Sequence, residues 1–149
     1  MLVQEAVLQA QKNSGIGSQQ PDLTARSLLE NWQQAVADSS LHPAYTCLGQ
    51  TLTYGEVDQL SRRVASFFQK KLKLSAGDRI AVQLPNLIQY PVVVVAAWKL
   101  GLVIVNTNPM YTVRELVHQF NDSGVKAVVV LDQFYETLCQ ALTDTSIEH

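Results

Sequence analysis

Three histidines, two cysteines, one well-placed aspartate and an asparagine-rich turn are the residues of this chain whose types could do chemistry. His42, His118 and His149 share no metal-ligand spacing with one another or with Cys47 and Cys139, and the cysteines form no C-x-x-C pair. His118 falls three residues after Glu115 on an expected helix, where a surface pair accounts for it without catalysis. Asp132 follows an aliphatic strand, where a functional acid could sit. Aspartate is also a common helix N-cap, and capping is the preferred reading. Asn106, Thr107 and Asn108 could turn polar groups toward a ligand, but asparagine before proline equally suits a tight turn, again the preferred reading. Gly15-Ile16-Gly17 comes nearest to a phosphate loop, yet no strand precedes it and no lysine follows. Neither G-x-G-x-x-G, G-x-x-x-x-G-K-[ST] nor G-x-S-x-G occurs. No residue is therefore assigned a catalytic, cofactor-binding or metal role.

The elements that would position these residues follow from periodicity and punctuation. Asn13 to Pro21 is polar, glycine-containing and aperiodic, and reads as a linker after a short N-terminal segment that could be helical. Thr24 can cap a helix whose apolar positions are Leu28, Trp32, Ala35 and Val36. His42-Pro43 breaks the chain into extended pieces, Ala44–Leu48 and Thr51–Thr53, with Gly49-Gln50 as a type II′ hairpin loop. Thr53 and Glu56 form a capping box for a helix with Val57, Leu60, Val64, Phe67, Phe68 and Leu72 on its apolar face and Asp58 off it.

From Ser75 onward the order is turn, strand, helix, strand, helix, strand, helix. The strands are Arg79–Leu84, Leu102–Val105 and Ala127–Leu131; the helices are Leu87–Leu100, one from Thr112 through Phe120, and Gln133–Leu142. Val92 to Val95 would suit a buried strand by propensity. The length of Leu87–Leu100 and the closing Gly101 favour a helix instead. Thr112 and Glu115 make a second capping box, and the chain reaches Ile147-Glu148-His149 with no terminating structure in view. Strands apolar on both faces and linked by helices imply α/β architecture: a parallel sheet with helices on both faces, preceded by a helix and a β-hairpin.

Composition narrows the function classes. The chain has 149 residues, 47% hydrophobic and 16% charged, as expected of a soluble globular domain or part of one. A net charge of -2 gives no reason to expect nucleic acid. Lys70, Lys71 and Lys73 are the one basic cluster and suit a solvated helix end. No signal peptide or membrane-spanning run is read, and both cysteines are expected to be reduced thiols in the cytoplasm.

Several motifs in order carry a resemblance. LTYGEV (Leu52 to Val57), GDRIAVQLPN (Gly77 to Asn86) and WKLGLVIVNTNP (Trp98 to Pro109) resemble the adenylate-forming, or AMP-binding, superfamily of acyl-CoA synthetases, luciferases and peptide-synthetase adenylation domains. PNLIQYP (Pro85 to Pro91), VNTNPMYTVREL (Val105 to Leu116) and QFNDSG (Gln119 to Gly124) are similar to its bacterial long-chain fatty-acid–CoA ligases. The resemblance runs from about Ser27 to the end. It implies a division into an N-terminal extension and linker, residues 1–22, and an incomplete N-terminal part of the large adenylate-forming domain, residues 23–149. It also implies a parent enzyme that uses fatty acid, ATP, Mg2+ and coenzyme A to make acyl-adenylate and then acyl-CoA.

The family's phosphate-binding loop, its ribose-binding aspartate and its C-terminal lysine find no matching position here. The resemblance therefore implies that this chain alone holds no cofactor and is inactive. It leaves room for a homodimer and for peripheral contact with the inner face of a membrane. A stand-alone binding or assembly module of the same fold, or an adenylating enzyme for another carboxylic acid, are the alternatives.

Overall fold

In the computed structural model, which describes residues 27–149, the elements alternate in the order the periodicity leads one to expect. The expectations for residues 1–22 lie outside the described residues, as does Thr24. Helix α1 (Leu28–Ser39) begins at Ser27, whose hydroxyl accepts the Glu30 N–H while Glu30 reaches back to the Ser27 N–H. The true cap is this Ser-x-x-Glu box, three residues after Thr24.

Strands β1 (Pro43–Cys47) and β2 (Gln50–Thr53) form a separate antiparallel hairpin. Cys47 pairs with Gln50, so the connecting residues are Leu48 and Gly49, not Gly49 and Gln50. Both have positive φ, 49° and 79°, which a type I′ turn requires and a type II′ turn does not. The sequence misleads because leucine is a poor left-handed residue, so glycine draws the assignment one position too far.

Helix α2 (Tyr54–Lys70) starts at the Thr53–Glu56 box, with Glu56 Oε2 accepting the Thr53 N–H at 2.8 Å. Gly55 sits where no side chain fits. A Cβ there would lie 2.5 Å from Ser40 Oγ and 3.1 Å from Ser40 O. The close approach lets the Gly55 N–H donate to Ser40 O at 2.9 Å, satisfying a carbonyl at the end of α1.

The main sheet has three strands, β3 (Arg79–Gln83), β4 (Val103–Asn106) and β5 (Ala127–Val130), in the order β4-β3-β5, all parallel. Ile80 aligns with Ile104 and with Ala127. Strand alternation splits two cores. Ile80, Val82 and Ala127 face α2 and α3 (Gln89–Leu100) through Ala65, Phe68, Val93, Ala96 and Ala97. Ala81 faces α4 (Val113–Ser123) and α5 (Tyr135–Leu142) through Leu116, Phe120, Leu138 and Ala141.

A third cluster, Trp32, Val57, Val92 and Val95, packs α1 against the outer sides of α2 and α3. Helix α3 is thus covered on two sides, and Pro91 through Ala97 are all buried. Burying a valine side chain is worth about 1.5 kcal/mol or more, against at most about 0.7 kcal/mol of helix propensity lost per residue. Burial wins, and a valine-rich segment is helical. Gly101 ends it in the left-handed region, φ 67°.

Helix α4 runs to Ser123, one turn beyond Phe120, before Gly124 closes it. The last helix splits into a 3-10 turn (Asp132–Phe134) and α5. Past it the chain is not loose. Glu148 and His149 N–H donate to Lys126 O at 2.9 and 3.2 Å, and Val128 N–H donates to His149 O at 3.0 Å. That alternation is parallel pairing along the outer edge of β5. A piece this short carries no periodicity from which it could be read.

Candidate functional site

The exit of the central strand diverges in face from the exits of both its neighbours, and the crevice toward β4 is the one bounded by the asparagine-rich turn. From β3 the chain turns into α3 on one face, while from β4 it turns into α4 on the other. Adjacent strands whose exits diverge to opposite faces leave an opening between their carboxyl ends, the usual place for a ligand in an open α/β sheet. Its walls are the β3 exit, Leu84 to Ile88, and the β4 exit, Thr107 to Thr112.

Hydrogen bonds fix both walls. The Tyr90 hydroxyl, at the start of α3, donates to Asn106 Oδ1 at 2.8 Å and ties the two exits together. The Thr107 N–H donates to Val82 O at 3.1 Å, extending the β3–β4 pairing by one rung, and Thr107 is buried. Asn108 Oδ1 accepts the Met110 N–H at 3.0 Å, closing the turn across Pro109. Gln119 of α4 donates from Nε2 to Asn106 O at 3.1 Å. On the other side of the β3 exit lies the hairpin. Cys47 Sγ donates to Asn86 O at 3.5 Å, and a hollow of about 240 Å³ opens between Tyr45, Cys47, Leu87, Ile88, Tyr90 and Pro91.

The residues singled out for chemistry are not gathered here. His42, His118 and His149 are all exposed, and Glu115 turns its carboxylate to the Thr112 N–H and hydroxyl, at 2.8 and 2.7 Å, rather than to His118. Cys47 and Cys139 are free thiols on separate elements. Asp132 is exposed, and its Oδ1 accepts the adjacent Gln133 N–H at 2.8 Å at the opening of the 3-10 turn. Asn106, Thr107 and Asn108 do reach the crevice, with the side-chain oxygen of Asn106 taken by Tyr90 of α3 and that of Asn108 by the loop itself.

The most polar cluster lies elsewhere, and the amphipathic reading of α2 put it on the wrong side. Asp58 is buried, while Phe67 is 53% exposed. Asp58 Oδ1 accepts from Lys99 Nζ at 2.6 Å and from Trp32 Nε1 at 3.2 Å; Oδ2 accepts from Arg62 Nε at 2.8 Å. The true buried stripe is Val57, Asp58, Ser61, Ala65 and Phe68, where small residues let α3 approach. A charged residue in that stripe hides its periodicity. Burial pushes the Asp58 carboxyl upward, but the hydrogen bonds from Lys99, Arg62 and Trp32 outweigh it and hold the group below the ordinary aspartate range. With its charge matched by Lys99 and Arg62 and a further hydrogen bond from Trp32, Asp58 is a structural clamp joining three helices.

Nucleotide phosphates and magnesium call for free backbone N–H groups at a glycine-rich turn, or for grouped carboxylates. Among the described residues, no three of His, Cys, Asp and Glu come together as metal ligands. The β4 exit has already committed the N–H groups of Thr107, Met110 and Tyr111. These residues fit neither group, and no phosphate chemistry is derived from them. No described helix is long and apolar enough to cross a membrane.

Known proteins share this frame. The chain is 40% identical over 124 residues to a long-chain-fatty-acid–CoA ligase of Escherichia coli O6:H1, and 41% over 123 residues to that of Haemophilus influenzae. Each alignment takes in 83% of this chain and 22% of the relative, so the chain spans about a fifth of their length. The crystal structure of a long-chain-fatty-acid–CoA ligase from Archaeoglobus fulgidus superposes with a TM-score of 0.75 at 26% identity, over 82% of this chain and 26% of that one. The model of the AMP-binding enzyme family matches residues 32–148, nearly all of the described chain, and the chain belongs to that family.

Proposed function

We propose that this chain is the N-terminal part of the large domain of a long-chain fatty-acid–CoA ligase, and that it supplies scaffold rather than catalytic, cofactor-binding or metal-binding residues. In this reading residues 1–22 are an N-terminal extension and linker, and residues 23–149 belong to that domain. The parent takes fatty acid, ATP, Mg2+ and coenzyme A. It first joins the carboxylate to AMP with loss of pyrophosphate, and the thiol of coenzyme A then displaces AMP to leave the thioester. Adenylation is needed because a bare carboxylate has no acceptable leaving group. The enzyme works in the cytoplasm, on a substrate class that gathers at membranes.

The observation that carries this reading is identity of about 40% to ligases of one substrate class, over a span that includes both walls of the crevice. The test uses the complete reading frame in ATP–pyrophosphate exchange with a panel of acids. Exchange should be fastest with long-chain fatty acids. Exchange driven best by aryl or amino acids would overturn the substrate class, and no exchange with any acid would overturn the reaction.

A further inference from the structure

The outer face of α2 carries a cluster that neither the packing nor the crevice uses. Five of the chain's eleven lysines and arginines lie within residues 62–73, and no aspartate or glutamate lies between Gln59 and Gly77, in a chain of net charge -2. Arg62 is taken up by Asp58. Arg63, Lys70, Lys71 and Lys73 are exposed, and none of them pairs with a carboxylate among the described residues. Phe67 stands in their midst, 53% exposed, because Phe68 takes the place in the buried stripe. Arg63 comes four residues before Phe67, Lys70 three after and Lys71 four after, the spacings that set side chains next to one another on a helix. The exposed ring is thus bordered by unpaired cations at both ends.

Neither half of the cluster would carry weight alone. A single exposed phenylalanine needs no explanation, and two lysines at a helix end suit its dipole. Arg63 lies two turns before that end, however, outside the reach of the dipole, which also gives no reason for a ring among the cations. The partner that fits must offer anions spread over a surface and an apolar layer just behind them. Anionic phospholipid offers both: lysine and arginine heads stay at the phosphates while an aromatic ring enters the boundary with the acyl chains. Nucleic acid has no such layer behind its phosphates. An acidic protein would match the charge but would need a pocket shaped for the ring.

We propose that the outer face of α2 is a contact surface for anionic membranes, with Arg63, Lys70, Lys71 and Lys73 at the headgroups and the Phe67 ring in the layer beneath them. It rests on the ligase reading above only for the benefit of meeting a membrane-held acid. Vesicle binding and pyrophosphate exchange can fail separately, so the two readings are distinguishable.

The test is co-sedimentation of the complete protein with vesicles of phosphatidylcholine, with and without phosphatidylglycerol. Binding should require phosphatidylglycerol and weaken as sodium chloride is raised, because salt screens the attraction. Each cation near an anionic surface strengthens binding about fivefold, so Lys70→Gln with Lys71→Gln should weaken it about twentyfold. Phe67→Ala should weaken it severalfold, while Arg114→Gln, an exposed cation on α4, should leave it unchanged. In Phe67→Trp, phosphatidylglycerol vesicles should shift the added tryptophan's emission to the blue, as transfer to an apolar layer requires. No vesicle binding, equal binding to both vesicle types, or no loss in the lysine variant would overturn the proposal. Retention on polyglutamate without vesicle binding would assign the face to an acidic protein instead.

Discussion

Asp58 is the residue on which three helices agree. It receives Trp32 from α1, Arg62 from its own helix and Lys99 from α3, and its side chain is 9% exposed. Asp58→Ala leaves Lys99, itself 15% exposed, without its counter-ion. The expected loss is about 2–4 kcal/mol, because breaking a buried pair from one side strands the other charge. Arg62 is 73% exposed, so Arg62→Ala should cost less than about 1 kcal/mol. Urea unfolding of the two variants checks the order, and equal losses would contradict it.

The same carboxyl sets a pH dependence. Its folded pKa is depressed, so the unfolded chain binds the proton first as pH falls. The stabilisation is complete above the unfolded value of about 3.9 and declines as pH drops through the folded value below it. In Asp58→Asn, the acid limb of the stability curve should be shallower than in the parent chain. An unchanged limb would show that Asp58 is not linked to folding in this way.

At the scale of elements, two junctions of the LTYGEV segment and its hairpin carry testable strain. Leu48 occupies a left-handed position at a hairpin tip, 89% exposed, with nothing packed on it to offset the backbone cost. Leu48→Asn should stabilise the chain by about 0.5–1 kcal/mol, since asparagine tolerates that conformation. A loss of stability would mean that Leu48 makes contacts worth more than its strain. Gly55→Ala should have the opposite sign. Its Cβ meets Ser40 backbone as well as side chain, and separating α1 from α2 should cost about 1–3 kcal/mol by thermal or urea denaturation. Wild-type stability would contradict the close approach.

These elements also show what was legible in the sequence. The Thr53–Glu56 and Thr112–Glu115 boxes, the valine-rich helix closed by Gly101 and the three aliphatic strands were open to reading, because each rests on local residue chemistry. The stripe of α2, the turn at Leu48-Gly49 and the pairing of residues 148–149 with β5 were not. The stripe and the tail are decided by neighbours distant in sequence, α3 for Asp58 and Lys126 and Val128 for residues 148–149, and the turn by the register of its two strands. The crevice was half legible. Its loops could be named from the strand ends, but the Tyr90–Asn106 bond between them spans 16 residues and has no sequence signal.

At the scale of the whole molecule, the two edges of the sheet differ. Residues 148–149 pair along β5, whereas β4 has β3 as its sole strand partner among the described residues and exposes Val103. An open edge with an exposed valine favours pairing with a second copy. The chain should therefore self-associate with rising concentration in sedimentation velocity, and Val103→Lys should reduce it. A strictly monomeric chain at all concentrations would show that this edge is already protected.

A chain that builds the frame of an AMP-binding enzyme without holding its working groups, as proposed above, should be inactive by itself. Acyl-CoA formation from a long-chain fatty acid, Mg-ATP and coenzyme A should be measured side by side for the 149-residue chain and for the complete reading frame. Turnover is expected from the complete protein and none above background from the chain alone. Robust turnover by the 149 residues themselves would contradict it.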